Sequence, residues 1–320
     1  MAINTVGVVG LGLMGRGITA SLLIHGFRAI VYTQGAPDSH ERARTYVQNA
    51  IEEIAAKANL QRDLSEWPNR YIEASSLLDF SSCDFVIESA TEDLLMKRQI
   101  FDELESVVRK DVPIASNTSA LPIGLLQTGR KYSTRFIGMH WAEPAYLTRF
   151  LEVIRGEHTS NAAVELAAEL ARRTDKDPCF VQKDVPGFIA NRLGYALYRE
   201  ALYLLQSGVG DVETIDRAFR NAFGLWATLC GPFRWMDVTG GPALYAKAME
   251  PVIPTLATSP EIPQTLIDMR QDGYQGTKDG HGFYQYRPGD AEHWEKLVRE
   301  HAWRVRQLQD QYYPLPPDGR

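Results

Sequence analysis

Short apolar runs alternate with longer amphipathic stretches over the first half of the chain. The amphipathic stretches, notably residues 40–57 and 94–109, have helical spacing, and Ser160 caps a further predicted helix. Such alternation is typical of βαβ units and predicts a parallel sheet with helices on both faces. The predicted strands cover residues 6–10, 29–33, 84–88, 112–116, 135–139, 147–154 and 179–182.

The pattern changes after Asp184. Pro186 opens an apolar pattern that ends at Gly208, and we expect a helix of roughly 31 Å over this stretch. Helical spacing continues to about residue 270, and a charged amphipathic helix is predicted at 294–312. The 320 residues therefore predict two domains, an α/β domain over 1–184 and an all-helical domain over 185–320.

A glycine-rich segment joins the first predicted strand to the first predicted helix. Gly10, Gly12 and Gly15 form a G-x-G-x-x-G pattern, with Leu13 and Met14 before its last glycine. In this context the glycines permit a tight turn, close approach of a pyrophosphate and close helix packing. Three glycines can also serve packing alone, but their place between strand and helix favours a dinucleotide-binding loop.

Thr33 stands at the end of the second predicted strand, where an acid usually holds the adenosine ribose. Threonine can hydrogen-bond a ribose, but it neither repels nor neutralises a 2′-phosphate. The nearest arginines, Arg42 and Arg44, fall in the following helical stretch. This arrangement favours NAD as the cofactor and leaves NADP open.

Composition narrows the classes of partner. The chain has 40 acidic residues against 34 Lys and Arg, a net charge of −6, and no dense basic block, which disfavours nucleic acid and anionic membranes. Cys83, Cys179 and Cys230 lack C-x-x-C spacing, so neither a disulfide framework nor a metal site is expected. No apolar run reaches 18 residues, and the start lacks a basic leader, so we expect a cytoplasmic protein.

One histidine has the setting of a general base. His140 follows a predicted strand, and Glu152 lies in the adjoining one. A carboxylate on one ring nitrogen fixes the tautomer and leaves the other nitrogen to accept a proton, as oxidation of an alcohol by a nicotinamide requires. The alternative is a histidine whose ring merely bonds a backbone carbonyl at a strand end.

Five motifs in order make the chain resemble the L-3-hydroxyacyl-CoA dehydrogenases. The resemblance, from about residue 5 to 286, implies a Rossmann-like NAD-binding domain and a helical domain through which the family usually forms dimers, so we expect a homodimer. The motifs are Ser116-Asn-Thr-Ser119, Gly138-Met-His140, Phe150-Leu-Glu152-Val, Pro186-Gly-Phe-Ile-Ala-Asn191-Arg and Gly276-Thr-Lys-Asp-Gly-His-Gly282-Phe-Tyr.

The resemblance also implies roles for single residues. His140 would be the catalytic base, oriented by Glu152, while Ser119 and Asn191 would hold the substrate oxygen and the catalytic arrangement. By their types alone, Ser119 could end a strand through a local hydrogen bond, and Asn191 could be an ordinary exposed helix residue.

Three further residues are expected at the cofactor. Glu92 and Lys97 match family positions near the nicotinamide half of NAD, and Asn117 lies in the Ser116–Ser119 motif. Lys97 could instead be a solvated helix residue, the commoner position of a lysine.

The chain departs from the family pattern after the histidine, where Glu143 replaces the usual asparagine. This carboxylate would raise the pKa of His140 if close, could meet a cationic group of the substrate, or could point to solvent. Family members that bind CoA use lysines after the second strand, whereas this chain offers Lys57, Arg62 and Arg70 interspersed with acids.

Three functions follow for testing. The leading one is NAD-dependent oxidation of a short-chain 3-hydroxyacyl-CoA to its 3-keto form. The second is oxidation of a small hydroxy acid or a pyridine-carboxylate-type alcohol without CoA, as in gulonate, carnitine and pyridoxal-degradation dehydrogenases of the wider family. The third is a non-catalytic dinucleotide-binding protein, against which the presence of both His140 and Glu152 argues.

Overall fold

One eight-stranded sheet organises the first part of the chain in the computed structural model, which describes residues 2–36, 38–58 and 63–316. Its strand order is β3-β2-β1-β4-β5-β6-β7-β8. The strands are β1 (Thr5–Val9), β2 (Arg28–Tyr32), β3 (Tyr71–Glu73), β4 (Phe85–Glu88), β5 (Ile114–Ser116), β6 (Phe136–Trp141), β7 (Phe150–Ile154) and β8 (Asp177–Val181).

Helices connect and follow these strands. The α-helices of the described chain are α1 (Leu13–Ile24), α2 (Ser39–Lys57), α3 (Trp67–Arg70), α4 (Leu94–Val107), α5 (Ile123–Gln127), α6 (Asn161–Arg173), α7 (Ala190–Gln206), α8 (Val212–Ala222), α9 (Pro232–Val238), α10 (Gly241–Met249), α11 (Gln264–Gln271) and α12 (Asp290–Tyr312).

The sheet confirms the predicted α/β class, with one difference in strand direction. All neighbouring strands are parallel except β6 and β7, which pair antiparallel with His140 opposite Glu152. Only residues 142–149 connect these two strands, which is too short for the crossover that a parallel pair needs. The antiparallel step therefore sets the histidine and the carboxylate side by side.

The core lies between the sheet and its helices. Apolar side chains of β1, β4 and β5 are nearly inaccessible to solvent, as continuous apolar runs in a parallel sheet require. Side chains cap the N-termini of two helices that cover the sheet. Asp93 accepts the N–H of Met96 at the start of α4, and Ser160 accepts the N–H of Ala163 at the start of α6. The Ser160 cap confirms the helix that was predicted to follow this residue.

The predicted helix at Pro186 begins four residues later than expected. Gly187 and Phe188 have φ values of +76° and +50°, a left-handed conformation that an α-helix cannot contain. Helix α7 therefore starts at Ala190, and Pro186 belongs to the preceding turn rather than to the first helical turn. The expectation of a helix that opens at Pro186 was wrong for this reason.

The described chain divides into two compact units. The first comprises the described residues from 2 to 191 with 315–316, and the second comprises residues 192–314. The regular elements of the second unit are helices, joined by turns and by isolated β-bridges at Gly276, His281 and Gln285. Among its described residues only Leu202 and Trp303 are buried. In the described part of the chain, no helix is both long and apolar enough to span a membrane.

Candidate active site

The glycine-rich loop begins the site at the carboxyl end of β1. Gly10 has a φ of +94°, and a Cβ on Gly15 would lie 1.8 Å from the carbonyl oxygen of Gly10. A Cβ on Gly12, in contrast, would have no atom of the described chain within 4 Å. The first two contacts explain the turn and the packing, and the open space at Gly12 fits the approach of a pyrophosphate.

Helix α1 starts directly at this open space. Gly12 is its N-cap residue, no side chain caps the helix, and its first turn contains no acid. Free N–H groups and the positive end of the helix dipole therefore face the position that a pyrophosphate would take. Leu13 is half exposed in this first turn, whereas the neighbouring Met14 is partly covered. The residues present fit a bound dinucleotide.

Thr33 and the basic side chains of helix α2, which follow β2, already have partners within the protein. Thr33 accepts the N–H of Gly35 through its hydroxyl oxygen at 3.1 Å, which leaves its O–H free to donate to a ligand. Every Lys and Arg side chain of helix α2 forms an ion pair with a carboxylate. The pairs are Arg42 with Asp38, Arg44 with Glu73 at 3.0 Å, and Lys57 with Glu53 at 3.1 Å.

His140 and Glu152 form a buried dyad across the β6–β7 pair. Nδ1 of His140 lies 2.8 Å from Oε2 of Glu152, whose side chain is fully buried. An ionised carboxylate can only accept, so Nδ1 carries the proton. Among the described residues none hydrogen-bonds Nε2, which is therefore the nitrogen able to take a proton from a ligand.

The other oxygen of Glu152 is held by the backbone. Oε1 accepts the N–H groups of Ile189 and Ala190, each at 2.9 Å. Burial raises the pKa of Glu152, but the hydrogen bonds from His140 and from these two N–H groups outweigh it and hold that pKa below its ordinary value. Glu152 is thus a fixed anion that supports a positive charge on the imidazole.

Ser119 and Asn191 lie next to each other. Nδ2 of Asn191 donates to the carbonyl oxygen of Ser119 at 2.7 Å. Glu92 fixes the same loop from the other side, because its Oε1 accepts from the hydroxyl of Thr118 and from the N–H groups of Ser119 and Ala120. The structure brings these residues together; their contact with substrate stays a prediction.

Asn117 joins the ends of three strands. Its side-chain oxygen accepts the N–H of Trp141, and its amide nitrogen donates to the hydroxyl of Ser89. Both ends of the amide are therefore engaged within the protein. This fixes the loops after β4, β5 and β6 relative to one another, and a contact between Asn117 and the cofactor stays a prediction.

Lys97 is fully buried rather than solvated. Its Nζ lies 2.7 Å from Oε1 of Glu88, whose side chain is also fully buried, and 3.4 Å from Oε2 of Glu92. The second oxygen of Glu88 accepts the hydroxyl of Ser116 at 2.6 Å. Sequence reasoning missed Glu88, although a single charged residue ending the apolar run of β4 was a visible signal.

Glu143 turns towards helices α1 and α2. Its Oε1 accepts the hydroxyl of Tyr46 at 3.0 Å, and its Oε2 lies 3.6 Å from the point where a Cβ on Gly17 would stand. Burial, and then the charge of Glu143, raise the pKa of Tyr46, so the phenol remains a hydrogen-bond donor. The Glu143 carboxylate therefore has a partner within the protein.

Family models match the whole sheet and much of the helical part. Residues 5–185 match the NAD-binding domain of 3-hydroxyacyl-CoA dehydrogenase, and residues 187–286 match its C-terminal domain. Helix α12 lies beyond the second match.

Individual relatives carry different substrate names. The 5-formyl-3-hydroxy-2-methylpyridine 4-carboxylate 5-dehydrogenase of Mesorhizobium japonicum is 31% identical, over 92% of this chain and 96% of the relative. The 3-hydroxybutyryl-CoA dehydrogenase of Bradyrhizobium diazoefficiens is 33% identical, over 89% of this chain and 96% of the relative. A crystal structure of a 5-formyl-3-hydroxy-2-methylpyridine 4-carboxylic acid 5-dehydrogenase, an NAD+-dependent dismutase, matches with a TM-score of 0.88 and 29% identity, over 97% of this chain and 99% of that one.

Proposed function

Because the chain belongs to the 3-hydroxyacyl-CoA dehydrogenase family, we propose that it oxidises the CH–OH group of a small hydroxy compound with His140 as the base. As a member of this family it is an NAD-dependent dehydrogenase. The observation that carries the proposed mechanism is the 2.8 Å contact between Nδ1 of His140 and Glu152, which leaves Nε2 free to accept a proton.

Loss of a hydride from carbon must be matched by loss of the hydroxyl proton. Nε2 of His140 takes that proton, and Glu152 stabilises the resulting imidazolium through Nδ1–H. When bound, NAD supplies the nicotinamide carbon that accepts the hydride. Ser119 and Asn191 position the reacting oxygen, and Glu92 keeps the Ser119 loop in place.

The paired charges of α2 support a substrate without CoA. The resemblance places the cations for a CoA ligand after β2, where Lys57 pairs with Glu53 and Arg70 donates to the carbonyl of Gly26. Arg62, the remaining candidate, lies outside the described residues. At Lys57 and Arg70, a ligand with several phosphate charges would therefore have to displace existing partners. A small hydroxy acid or a pyridine-carboxylate-type alcohol requires no such displacement.

The second candidate is the short-chain 3-hydroxyacyl-CoA reaction, which the 33% identity to a 3-hydroxybutyryl-CoA dehydrogenase favours. A panel of substrates separates the two, with NADH followed by its fluorescence. We expect faster turnover with free hydroxy acids, L-carnitine or pyridine-carboxylate alcohols than with 3-hydroxybutyryl-CoA. Preference for the CoA thioester, together with a raised KM for it in Lys57→Ala, would contradict a substrate without CoA.

Cofactor choice follows from the same pairs. The Arg42 and Arg44 charges are compensated, so a 2′-phosphate would find no uncompensated cation on α2. We expect NAD to bind at least tenfold more tightly than NADP, measured by calorimetry. Equal affinities would show that the phosphate displaces these pairs.

We also propose a homodimer formed through residues 192–314. Only two residues of this described stretch are buried, and it contains an open cavity of about 940 Å³. Apolar side chains, including Leu205, Ile215 and Met269, line much of the cavity. Exposed apolar surface of this extent is typical of an interface. Light scattering should give twice the chain mass of 35.9 kDa; a monomer at micromolar concentration would contradict the dimer.

A further inference from the structure

We propose that the turn from Pro186 to Ala190 positions the catalytic base, with Phe188 holding the His140 ring and the turn's backbone holding Glu152. This inference rests on the proposed role of His140, although its geometry can be tested without any substrate. The turn contains the left-handed residues Gly187 and Phe188, because of which α7 begins at Ala190 and not at Pro186. Phe188 would act through His140 and Glu152, and is therefore a positioning residue.

The backbone of the turn forms an anion-binding nest. Gly187 and Phe188 are both left-handed, and the two N–H groups that follow, of Ile189 and Ala190, converge on one oxygen of Glu152. Successive N–H groups in such a turn bind anions. With Oε1 occupied in this way, Oε2 is the oxygen that faces Nδ1 of His140. The turn thus fixes the orientation of the carboxylate that holds the imidazole.

The side chain at position 188 is unusual for this backbone. Among the described residues, Asp175 and Phe188 are the non-glycine residues with a left-handed φ, a conformation that glycine adopts with less strain. Phe188 is 1% exposed, and its ring centroid lies 5.9 Å from that of His140. Strain of this kind persists where the surrounding structure requires it, and it is concentrated at functional sites.

Two aromatic rings contact the imidazole. Phe150 meets His140 edge-to-face at 5.8 Å, and Phe188 contacts it at a tilt of 55°. Glu152 fixes the in-plane direction of the ring through Nδ1, and the two phenyl rings limit its rotation out of that plane. His140 is accordingly 8% exposed.

Two variants separate the ring from the backbone nest. Phe188→Gly removes the ring but keeps a residue that favours the left-handed backbone, and Gly187→Ala keeps the ring but disfavours that backbone. Phe188→Leu, which keeps an apolar side chain, serves if the glycine variant does not fold. Phe27→Ala is the matched control, because Phe27 is also 1% exposed but precedes β2, which β1, β4 and β5 separate from β6 in the sheet.

The main readout is the Nδ1–H proton of His140, observed by NMR in protein labelled with ¹⁵N-histidine and assigned with His140→Gln. We expect a downfield resonance in the wild type and in Phe27→Ala, and its broadening by solvent exchange in Phe188→Gly and Gly187→Ala. With the fastest substrate of the panel, kcat should fall by about 10–100-fold in these two variants, the effect of a misplaced catalytic group. NADH affinity should stay within twofold.

Retention of the resonance and of kcat within twofold in both turn variants would overturn the proposal. Equal loss of the resonance and of kcat in Phe27→Ala would overturn the proposal as well, since the effect would then come from general destabilisation of the fold. Substantial turnover by His140→Gln would refute the proposed function instead. The NMR comparison would still show whether the turn orients the ring.

Discussion

Replacing Lys97 by methionine tests the buried ion pair beneath the Ser119 loop. Nζ of Lys97 lies 2.7 Å from Oε1 of Glu88, and both side chains are fully buried. The variant would leave Glu88 with two neutral donors, the N–H of Ala90 and the hydroxyl of Ser116, and no cation at that distance. Such a carboxylate is costly because the protein interior cannot replace the hydration of its charge.

The expected loss is large. Breaking a buried pair by removing one partner costs about 3–5 kcal/mol of unfolding free energy. For a unit of this size each kcal/mol lowers Tm by about 2–4 °C, so we expect a decrease of roughly 6–20 °C. Urea unfolding followed by circular dichroism measures the free energy, and a thermal scan measures Tm.

A matched control uses the exposed pair of the same kind. Lys57 pairs with Glu53 at 3.1 Å, but the lysine side chain is 46% exposed, so Lys57→Met should cost less than about 1 kcal/mol. Combining Lys97→Met with Glu88→Gln should recover part of the lost stability, since the second change removes the uncompensated charge. A loss no larger in Lys97→Met than in Lys57→Met would refute the reasoning.

Three further predictions concern the glycine loop, the dyad and the helix that follows the Ser119 loop. Gly15→Ala should lower NADH affinity at least tenfold and reduce Tm, because its Cβ would stand 1.8 Å from a carbonyl oxygen, whereas Gly12→Ala should weaken NADH binding with little change in Tm. Glu152 has a lowered pKa, so its ionised form stabilises the fold above about pH 4.5, and this stabilisation is lost as the pH falls through the lowered value. Urea unfolding at a series of pH values should therefore show the free energies of unfolding of Glu152→Gln and of the wild type converging towards low pH. A constant difference between them would contradict this. Asp184 accepts the N–H groups of Ile123 and Gly124, so Asp184→Ala should cost about 1 kcal/mol in urea unfolding, and no measurable loss would show that water replaces this cap.

Strong local patterns made most of the sheet predictable. Continuous apolar runs located seven of the strands, and the side-chain oxygen of Ser160 marked the start of α6. The strand β3 was missed because Tyr71–Glu73 lies in no continuous apolar run of the kind that located the other strands. The antiparallel direction of β7 follows from its short connection to β6. The length of this connection could be read from the sequence, but we expected parallel strands throughout.

Side-chain contacts across the fold were less accessible to sequence reasoning. The pairing of His140 with Glu152 could be anticipated, since adjoining strands carry both residues. The positions of Lys97 and Glu143 could not be anticipated. The burial of Lys97, and the hydrogen bond that Tyr46 donates to Glu143, depend on how α4, α1 and α2 pack. Left-handed Phe188 was equally hidden, since a phenylalanine predicts neither a turn nor a positive φ.

The role of His140 as the base is tested most directly by His140→Gln, which keeps a side chain of similar reach but removes the titrating nitrogen. With the fastest substrate of the panel, kcat should fall by about 10²–10⁴-fold, the usual contribution of a general base. NADH affinity should remain within threefold of the wild-type value. Turnover within tenfold of wild type, at unchanged NADH affinity, would contradict the account.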